Sequence, residues 1–510
     1  MKRFSIPPDI LERLHFVAGA RTGLPKSRGE GEFTVYEPRN GAVLTKFLAA
    51  DKQSIDRIAS QAHEAQHKWA NTPWIERRQI LNGAAHLLRR HANEIAEWEV
   101  RDNGKPISEA KADVLSCADT FEFYAGVNLS GEHIPYGGEL SGRFAYTRRE
   151  PFGVTASWKI APAIACGNAI LYKPSPLAPI TSVLLAKVLH CAGLPDGVVN
   201  IVQGGAETGA KICENRLIKK ISFTGSVGTG KSIARACATD NLKPCTLELG
   251  GKSACIVFED ADVEMAVHGA LLANFLSQGQ VCSNASKVLV QRKVLEQFTH
   301  QIVHQTENMR IGVGIWGGGR IGREMPKLSW PKDPLNESTH VGACISEQHM
   351  DKVRQFIRTA VDEDGAKLLT GGERVTTIQG LEHGYFLSPC VLTNITPKMT
   401  VYQQEIFGPV LLIIPFDDEQ EALQMANDTE FGLAGGIFTK DLARAHQFAA
   451  RMNAGNVYIN TYNDTHPNVP FGGFNQSGYG RENGEASLWN YTQIKAVFVN
   501  TSGRLDSPFA

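Results

Sequence analysis

The sequence lacks an excess of charge of either sign. Its 510 residues include 52 Lys and Arg against 53 Asp and Glu, which gives a formal net charge of -1. A surface that binds polyanions such as nucleic acids carries a clear basic excess. We therefore expect no nucleic-acid partner.

Long apolar runs are also missing. The longest nearly uncharged apolar stretch, 160–172, lies between Lys159 and Lys173 and falls short of the ~20 residues that a membrane span needs. Charged residues and prolines interrupt residues 1–13, which leaves no apolar segment typical of a secretory signal. The sequence predicts a soluble, cytoplasmic protein with no membrane partner.

Closely spaced cysteine pairs are absent as well. The ten cysteines include no Cys-x-x-Cys pair, which argues against a zinc site or a redox dithiol, so we expect no metal. Reduced thiols are typical of cytosolic proteins. The chain does have a length that favours two or three domains. Its 49 glycines are a mild excess over the usual ~7%, so glycine-rich turns are expected to matter.

Two series of alternating elements organise the chain after a helical N-terminal part. Before residue 130, apolar residues such as Ile55 and Ile58 recur at helical spacing, and a longer helical run extends from Ile80 to Trp98. From about 169 to 258, and again from 410 to 459, short apolar runs alternate with helical ones. Such a series is typical of a parallel, doubly wound sheet, so the sequence predicts an α/β fold with two α/β domains.

One glycine-rich segment matches the phosphate-loop pattern. Gly225 to Ser232 fits G-x-x-x-x-G-K-[ST] and follows a predicted strand, which is the context that such a loop requires. Backbone N–H groups at a helix N-terminus would face a phosphate, with Lys231 on the terminal phosphates and Ser232 on magnesium. At this point three interpretations remain: a phosphate site, a P-loop nucleoside triphosphatase assisted by Glu259 and Asp260, and a glycine turn without a ligand.

Two further residues are candidates for catalysis. Glu248 ends an apolar run, where burial would raise its pKa toward the range of a general base; a salt bridge or a helix cap is the alternative. Cys282 has polar neighbours and a nearby glycine, unlike most of the other cysteines. It is a candidate nucleophile, although an isolated cysteine is more often a small buried apolar residue.

Several separated segments, taken together, resemble the aldehyde dehydrogenase superfamily. The longest are Glu248-Leu-Gly-Gly-Lys-Ser253, Gly279-Gln-Val-Cys282, Glu405-Ile-Phe-Gly-Pro409 and Pro470-Phe-Gly-Gly-Phe-Asn-Gln-Ser-Gly-Tyr-Gly-Arg-Glu482. The resemblance runs in the right order from about residue 30 to 500. Within the superfamily, Gly131-Glu-His-Ile134 and Val281-Cys-Ser-Asn284 look most like the 4-trimethylaminobutyraldehyde and betaine aldehyde dehydrogenases.

The resemblance implies a reaction and a coenzyme. Cys282 would attack an aldehyde carbonyl to give a thiohemiacetal, whose hydride would pass to NAD and leave a thioester. Glu248 would activate the water that hydrolyses this thioester to the carboxylic acid. NAD is the expected coenzyme, with NADP as the alternative. The implied coenzyme contacts are Lys173 on the adenosine ribose, Ser226, Val227, Gly228, Thr229 and Gly230 on the pyrophosphate, Glu405 on the nicotinamide ribose and Phe407 beside it.

The resemblance also implies a domain organisation. The expected coenzyme-binding domain comprises 1–128, 150–251 and 463–484, and the expected catalytic domain comprises 252–462. Residues 129–149 and 485–510 are expected to be oligomerisation strands of a homo-oligomer, a dimer or a tetramer. The substrate would be a small aldehyde, and Tyr124 and Tyr462 are candidates for contact with a trimethylammonium group, although tyrosines are more often ordinary packing residues.

Two departures from the family pattern affect these expectations. About a dozen residues of that pattern are missing where Val154-Thr155 runs straight into Ala156, including a strand and the asparagine whose amide would stabilise the oxyanion. We expect the neighbouring strands to lose backbone partners and the activity to be severely reduced. The alternative is a catalytically impaired member that binds NAD or a partner subunit. In the second departure, 313–332 form an insertion, which we expect to be a disordered bulge.

Overall fold

The computed structural model describes residues 4–7, 9–22, 31–136, 141–156, 159–239, 242–312, 314–315 and 334–505. Apart from 314–315, the insertion at 313–332 lies outside the described residues, so the expectation of a disordered bulge stays a prediction. Within the described ranges, every helix is too short or too polar to cross a membrane.

Strands account for three sheets and two hairpins. In chain order they are β1 (His15–Val17), β2 (Ala20–Thr22), β3 (Glu32–Tyr36), β4 (Val43–Leu48), β5 (His133–Pro135), β6 (Arg143–Pro151), β7 (Val154–Ala156), β8 (Ala169–Tyr172), β9 (Val199–Ile201), β10 (Ile218–Thr224), β11 (Cys245–Glu248), β12 (Ala254–Val257), β13 (Lys287–Gln291), β14 (Arg310–Ile311), β15 (Gly314–Ile315), β16 (Lys367–Thr370), β17 (Cys390–Thr393), β18 (Val410–Phe416), β19 (Ala434–Phe438), β20 (Asn456–Ile459), β21 (Gly478–Tyr479) and β22 (Thr492–Asn500).

Helices pack on the faces of the two larger sheets. In chain order they are α1 (Lys52–Ala70), α2 (Trp74–Arg90), α3 (Ala92–Asn103), α4 (Ile107–Gly126), α5 (Ile160–Ala165), α6 (Ile180–Ala192), α7 (Ala206–Glu214), α8 (Val227–Thr239), α9 (Val263–Phe275), α10 (Leu295–Glu307), α11 (Glu347–Arg358), α12 (Thr400–Gln403), α13 (Glu419–Asn427) and α14 (Leu442–Arg451).

Each of the two larger sheets is mainly parallel, as the alternating pattern predicts. The first has the order β2-β1-β9-β8-β7-β10-β11-β21, with parallel pairing from β9 through β11. The second has the order β16-β17-β18-β13-β12-β19-β20, and only β16 is antiparallel. A third sheet, β22-β6-β5, joins β22 to β6 over nine residue pairs. The predicted α/β fold class is confirmed.

The expectation that the shortened segment removes a strand from the first sheet is wrong. Val154–Ala156 forms β7, which pairs in parallel with both β8 and β10. Three extended residues suffice because strand pairing uses backbone groups, whatever the side chains are. The buried side chain of Asn168 closes the turn before β7, since it accepts from Gly153 N–H at 3.0 Å and donates to Tyr491 O at 2.9 Å.

Two helices replace the single longer helical run that the sequence predicts around Ile80 to Trp98. Helix α2 ends before His91 and α3 begins after it, although the apolar spacing continues through both helices. Gly104 ends α3 with a left-handed φ of 93°, a conformation that glycine adopts without strain.

Residues 249–253 connect the first large sheet to the second. The chain leaves the first sheet at Glu248, the last residue of β11, and enters the second at Ala254, the first residue of β12. The intervening Gly250 and Gly251 are buried. This crossing point brings the carboxyl ends of the first sheet's central strands next to the segment that carries Cys282.

Candidate active site

A cavity of about 860 Å³ lies where the two sheets approach each other. Its lining includes five of the residues selected from sequence: Ser226, Glu248, Cys282, Glu405 and Phe407. These residues come from both sheets and are separated by up to 181 positions in the chain. The volume is within the ~300–1,000 Å³ that small-molecule sites occupy.

Cys282 is half-buried in this cavity and free of any disulfide. It follows a short 3-10 segment in which Ser277 and Gln278 have left-handed φ values of 48° and 57°. Glu109 holds this strained turn, because its Oε2 accepts from Ser277 N–H and from Ser277 Oγ, both at 2.9 Å. Gln278 Nε2 also donates to Ala343 O at 2.8 Å. The position of the thiol is therefore fixed by contacts outside the cavity.

Burial raises the pKa of the Cys282 thiol to about 11, and the charges of Glu405 and Glu248 add to this effect. Lys159 and the backbone N–H of Cys282 itself act in the opposite direction. The thiol is consequently neutral at physiological pH. It requires a nearby base to become a nucleophile.

Glu248 supplies a carboxylate to the same cavity from the first sheet. It ends β11 and is 3% exposed, and neither of its carboxylate oxygens has a hydrogen-bond partner among the residues that the structure describes. Burial raises its pKa to about 8; the charge of Lys159 opposes this shift and that of Glu482 adds to it. An unpartnered carboxylate with a pKa near neutrality is the type of group that serves as a general base.

A buried ion pair lies beside Glu248, and sequence reasoning did not identify it as part of the site. Lys159 Nζ lies 2.8 Å from Glu482 Oε1, and both side chains are about nine-tenths buried. Both residues line the cavity. Glu482 is within the C-terminal motif Gly480-Arg481-Glu482, which gave a signal, whereas nothing in the sequence pairs it with Lys159.

Glu405 reaches back to the connection between the sheets. Its Oε1 accepts from Gly251 N–H at 3.1 Å. A Cβ at Gly250 would lie 2.1 Å from Glu405 Oε2, and one at Gly251 would lie 2.5 Å from Cys282 O. The two glycines therefore allow the segments of Glu405 and Cys282 to approach the same connection. Burial raises the pKa of Glu405, and the Gly251 N–H and the charge of Lys252 oppose that shift.

Phe407 has a left-handed φ of 59°, which is unusual for an aromatic residue and indicates a conformation held by its surroundings. His349 Nε2 lies 2.7 Å from Phe407 O, and the two rings meet edge to face with centroids 5.9 Å apart. His349 also lines the cavity.

The glycine-rich turn presents the N-terminus of α8 at the edge of the cavity. Ser226 Oγ accepts from Thr229 N–H at 3.3 Å and lies 2.9 Å from Thr229 Oγ1. Gly228 is exposed, whereas Gly230 is buried, and a Cβ there would lie 2.7 Å from Leu249 Cδ2. Val227 begins the helix. Such an N-terminus favours an anionic group because its first N–H groups have no partner within the helix.

Lys173 and residues 227–230 are outside the set of described residues that line the cavity itself. Lys173 follows β8, and its Nζ donates to Gly204 O at 3.1 Å. Its strand and the strand that precedes Ser226 are parallel members of one sheet. Their carboxyl ends share one edge, where ligands of doubly wound sheets bind.

The two tyrosines proposed for substrate contact differ in position. Tyr124 lines the cavity together with Phe121 and Phe471. Tyr462 is fully buried, its hydroxyl donates to Ser283 O at 3.1 Å, and it is not among the described lining residues. The expectation that Tyr462 forms an aromatic wall is wrong, because it packs behind the cysteine segment.

The alternative of a P-loop nucleoside triphosphatase fails on geometry. Asp260 lies after β12 in the other sheet, accepts from Thr439 Oγ1 at 2.9 Å and pairs with Arg444 at 3.0 Å. Ser232 Oγ donates to Gly228 O at 3.1 Å. Among the described residues, no group of three His, Cys, Asp or Glu is arranged to hold a metal ion.

Comparisons with known proteins agree with this geometry. Residues 25–497 match the model of the aldehyde dehydrogenase family. A 4-trimethylaminobutyraldehyde dehydrogenase A from Danio rerio is 45% identical, over 98% of this chain and 96% of its own length.

Solved structures give the same result. An aldehyde dehydrogenase from Bacillus cereus in an NAD+ complex is 35% identical, with a TM-score of 0.87 and coverage of 98% of this chain and 99% of its own. A betaine aldehyde dehydrogenase from Staphylococcus aureus in complex with NAD+ is 30% identical, with a TM-score of 0.89 and 98% of each chain covered. The chain belongs to the aldehyde dehydrogenase family.

Proposed function

We propose that this protein oxidises an aldehyde to the carboxylic acid with NAD as coenzyme. The observation that carries the proposal is that the Cys282 thiol lines one cavity with Glu405 and with the Glu248 carboxylate, which has no hydrogen-bond partner among the described residues. The expected domain division, with the coenzyme on the first sheet and catalysis on the second, is part of the same proposal.

The described residues fit a dinucleotide. The N-terminus of α8, with exposed Ser226 and Thr229, suits a pyrophosphate. Lys173, on the same sheet edge, suits the adenosine ribose, and Glu405 suits the ribose of the nicotinamide, with Phe407 beside it. The absence of a Cβ at Gly250 gives Glu405 its place. Bound NAD would accept the hydride that leaves the aldehyde carbon.

The chain's own residues divide the remaining chemistry. The sulfur of Cys282, once deprotonated, attacks the aldehyde carbonyl carbon and forms a thiohemiacetal. After oxidation the acyl group is held as a thioester on Cys282. Glu248 takes a proton from the water that attacks the thioester, and the acid leaves as the thiol re-forms. In the Lys159–Glu482 pair, the charge of Lys159 lowers the pKa of both Cys282 and Glu248.

The substrate that we propose is 4-trimethylaminobutyraldehyde or betaine aldehyde. The names of the relatives from Danio rerio and Staphylococcus aureus support it, as do the aromatic residues Phe121, Tyr124 and Phe471 in the lining. Aromatic faces attract quaternary ammonium groups. A panel with both aldehydes and an uncharged aliphatic aldehyde of matched length tests this. Preference for the uncharged one would contradict the substrate assignment.

We also propose that turnover is severely reduced in this chain, because the asparagine expected to stabilise the oxyanion is missing from the sequence. Loss of one such donor slows the reaction by ~10² to 10³-fold. A second candidate function follows: an NAD-binding or subunit partner without turnover. The specific observation that favours it is that the coenzyme-side features, the α8 N-terminus and the Glu405–Gly251 contact, are intact.

Two measurements separate these possibilities. Calorimetry with NAD measures coenzyme binding, and absorbance of NADH measures turnover with the aldehyde panel. Binding with slow but measurable turnover supports the enzyme. Binding without turnover supports the second candidate, and failure of both would contradict the two proposals together. A turnover number equal to that of the relative from Danio rerio would refute the role assigned to the missing asparagine.

A cytoplasmic homo-oligomer, a dimer or a tetramer, is the assembly that we propose. Phe498 is 72% exposed and Ile494 is 54% exposed on β22, which leaves apolar side chains of the third sheet in contact with solvent. Such patches are typical of protein interfaces. Light scattering measures the mass in solution, and a monomer at micromolar concentration would contradict this assignment.

A further inference from the structure

Helix α1 carries a histidine pair that the proposed reaction does not use. The segment His63-Glu64-Ala65-Gln66-His67 fits H-E-x-x-H, a pattern in which two histidines on one face of a helix bind zinc. Helical residues four positions apart lie one turn above each other, so their side chains are neighbours. None of the described residues that line the cavity belongs to α1. The spacing can therefore bring two imidazoles to one ion outside the cavity.

The two rings already have the separation of ligands on one ion. His63 Nε2 lies 3.3 Å from His67 Nε2, and the ring centroids are 4.6 Å apart with an angle of 73° between the planes. Two nitrogens bound to zinc at ~2.0–2.1 Å with a tetrahedral angle between them lie ~3.3–3.4 Å apart. A hydrogen bond from one ring to the other is the alternative explanation of the same distance. Only a measurement with the ion distinguishes the two.

The opposite face of α1 holds the backbone beneath this pair in place. Gln66 and Trp69 are buried, and their side chains donate to backbone carbonyls of the segment 164–167 at 3.1 and 2.9 Å. His67 is exposed and His63 is half-exposed, so an ion can reach both from solvent. Binding would therefore require little rearrangement of the helix, which keeps its cost in conformational entropy low.

The surroundings of the pair fit binding rather than hydrolysis. Catalytic zinc sites have three protein ligands and one open position. Among the described residues, no third His, Cys, Asp or Glu joins the two histidines, so water would fill the remaining positions. Glu64 is exposed on the helix surface and not within a cleft that could hold a substrate. The expectation of no metal, drawn from the cysteine spacing, does not extend to imidazole ligands.

We propose that His63 and His67 bind one Zn²⁺ ion through their Nε2 atoms, with water as the other ligands. Imidazole nitrogen is a ligand that suits Zn²⁺, and the separation of the two nitrogens matches its tetrahedral geometry. The bound ion links two successive turns of α1. Since the site shares no residue with the described lining of the cavity, its occupancy is measurable without any reference to turnover at Cys282.

Protection of the histidines from acylation tests the site directly. The full-length protein is treated with diethyl pyrocarbonate, which acylates free imidazole nitrogens, at increasing Zn²⁺ concentrations, and tryptic peptides are analysed by mass spectrometry. Cleavage after Arg57 and Lys68 releases both histidines in the peptide 58–68. Modification of this peptide is expected to fall as Zn²⁺ rises and to return when EDTA is added. The readout is specific to the peptide, so zinc bound to thiols elsewhere does not contribute.

The chain offers a matched control in the same digest. His300 and His304 on α10 have the same spacing and are exposed, but the ring contacts found among the described residues do not include this pair. Trypsin releases them together in the peptide 294–310. Half-protection of 58–68 is expected at a Zn²⁺ concentration at least ~10-fold lower, because its two rings are already arranged around one position. Equal protection of both peptides would show an effect of helical spacing alone and would overturn the assignment of a built site.

Substitutions show whether the two rings act on one ion. In His67→Ala, His63 should be acylated at Zn²⁺ concentrations that protect it in the unaltered chain, whereas His304→Ala should leave the protection of 58–68 unchanged. Both changes are at exposed helical positions, and alanine favours a helix, so the fold is retained. Protection of His63 that persists in His67→Ala would contradict the proposal. Full acylation of 58–68 in the unaltered protein at every Zn²⁺ concentration would leave the ring-to-ring hydrogen bond as the explanation.

Discussion

The two walls of the cavity differ in how closely they follow the sequence pattern of the aldehyde dehydrogenase family. The wall built by the second sheet keeps its motifs, and long-range contacts hold each of them: Glu109 supports the Cys282 segment, and Gly251 binds Glu405. In the wall beside β7 and α5, the family resemblance implies that about a dozen residues are missing. Its backbone ladder nevertheless continues through Val154–Ala156. Strand pairing can therefore continue through a segment even where a side chain needed for the reaction is missing.

The shortened wall remains paired because a strand needs very few residues. Val154 is fully buried, and the backbone of β7 pairs with strands on both sides. A deleted strand would have left two rows of unpaired N–H and C=O groups, each costing free energy comparable to a lost hydrogen bond. Backbone pairing through β7 does not replace the side chains of the missing residues. The expected cost of the deletion therefore falls on catalysis.

The largest expected effect on turnover comes from a change at Cys282, on the side of the second sheet. Cys282→Ala removes the nucleophile, so we expect turnover to fall by at least ~10⁴-fold or below detection. NADH absorbance with the aldehyde panel measures it. Cys255→Ala, which changes a fully buried cysteine of the same sheet, is the matched control and should keep measurable turnover. Equal rates for Cys282→Ala and the unaltered chain would mean that the measured oxidation does not use this thiol.

The second prediction repairs the shortened wall. Inserting the family's asparagine-bearing segment between Val154 and Lys159 is expected to raise kcat by ~10² to 10³-fold, because one oxyanion donor is regained. The same insertion with alanine in place of the asparagine separates the amide from the added length. An equal rate increase for both insertions would attribute the defect to packing, and no increase for either would contradict the comparison between the walls.

The third prediction concerns Glu248, the proposed general base. Glu248→Gln is expected to slow turnover by ~10² to 10⁴-fold. Since burial raises the pKa of Glu248 to about 8, the active carboxylate forms only as pH rises through that value. The rate of the unaltered chain should therefore increase between about pH 7 and 9, and the Gln variant should lose this rise. A pH profile that is identical in both proteins would exclude Glu248 as the titrating group.

Sequence motifs predict the catalytic residues of the cavity far better than they predict the shortened segment at β7. Motifs around Glu248, Cys282 and Glu405 place these residues in one cavity because each motif is local and glycine-rich. The strand β7 escapes prediction, since three residues give no period to recognise. Likewise, the break at His91 is hidden by apolar spacing that continues on both sides. The Lys159–Glu482 pair joins positions 323 residues apart, and only tertiary packing decides which charges meet.

The smallest expected effect concerns the Lys159–Glu482 pair and tests whether its charges shift the pKa of Glu248. The charge of Lys159 lowers the pKa of Glu248, and that of Glu482 raises it. Lys159→Met should therefore move the midpoint of the pH–rate profile to higher pH, and Glu482→Gln should move it to lower pH, each by about 1 unit. Glu363→Gln, which changes an exposed carboxylate in the π-helical turn that follows α11, is the control and should leave the midpoint in place, because solvent and salt screen its charge. Opposite shifts from the two halves of one ion pair have no explanation in lost packing, which would lower the rate at every pH. Shifts in the same direction would mean that the pair acts on Glu248 only by supporting its position.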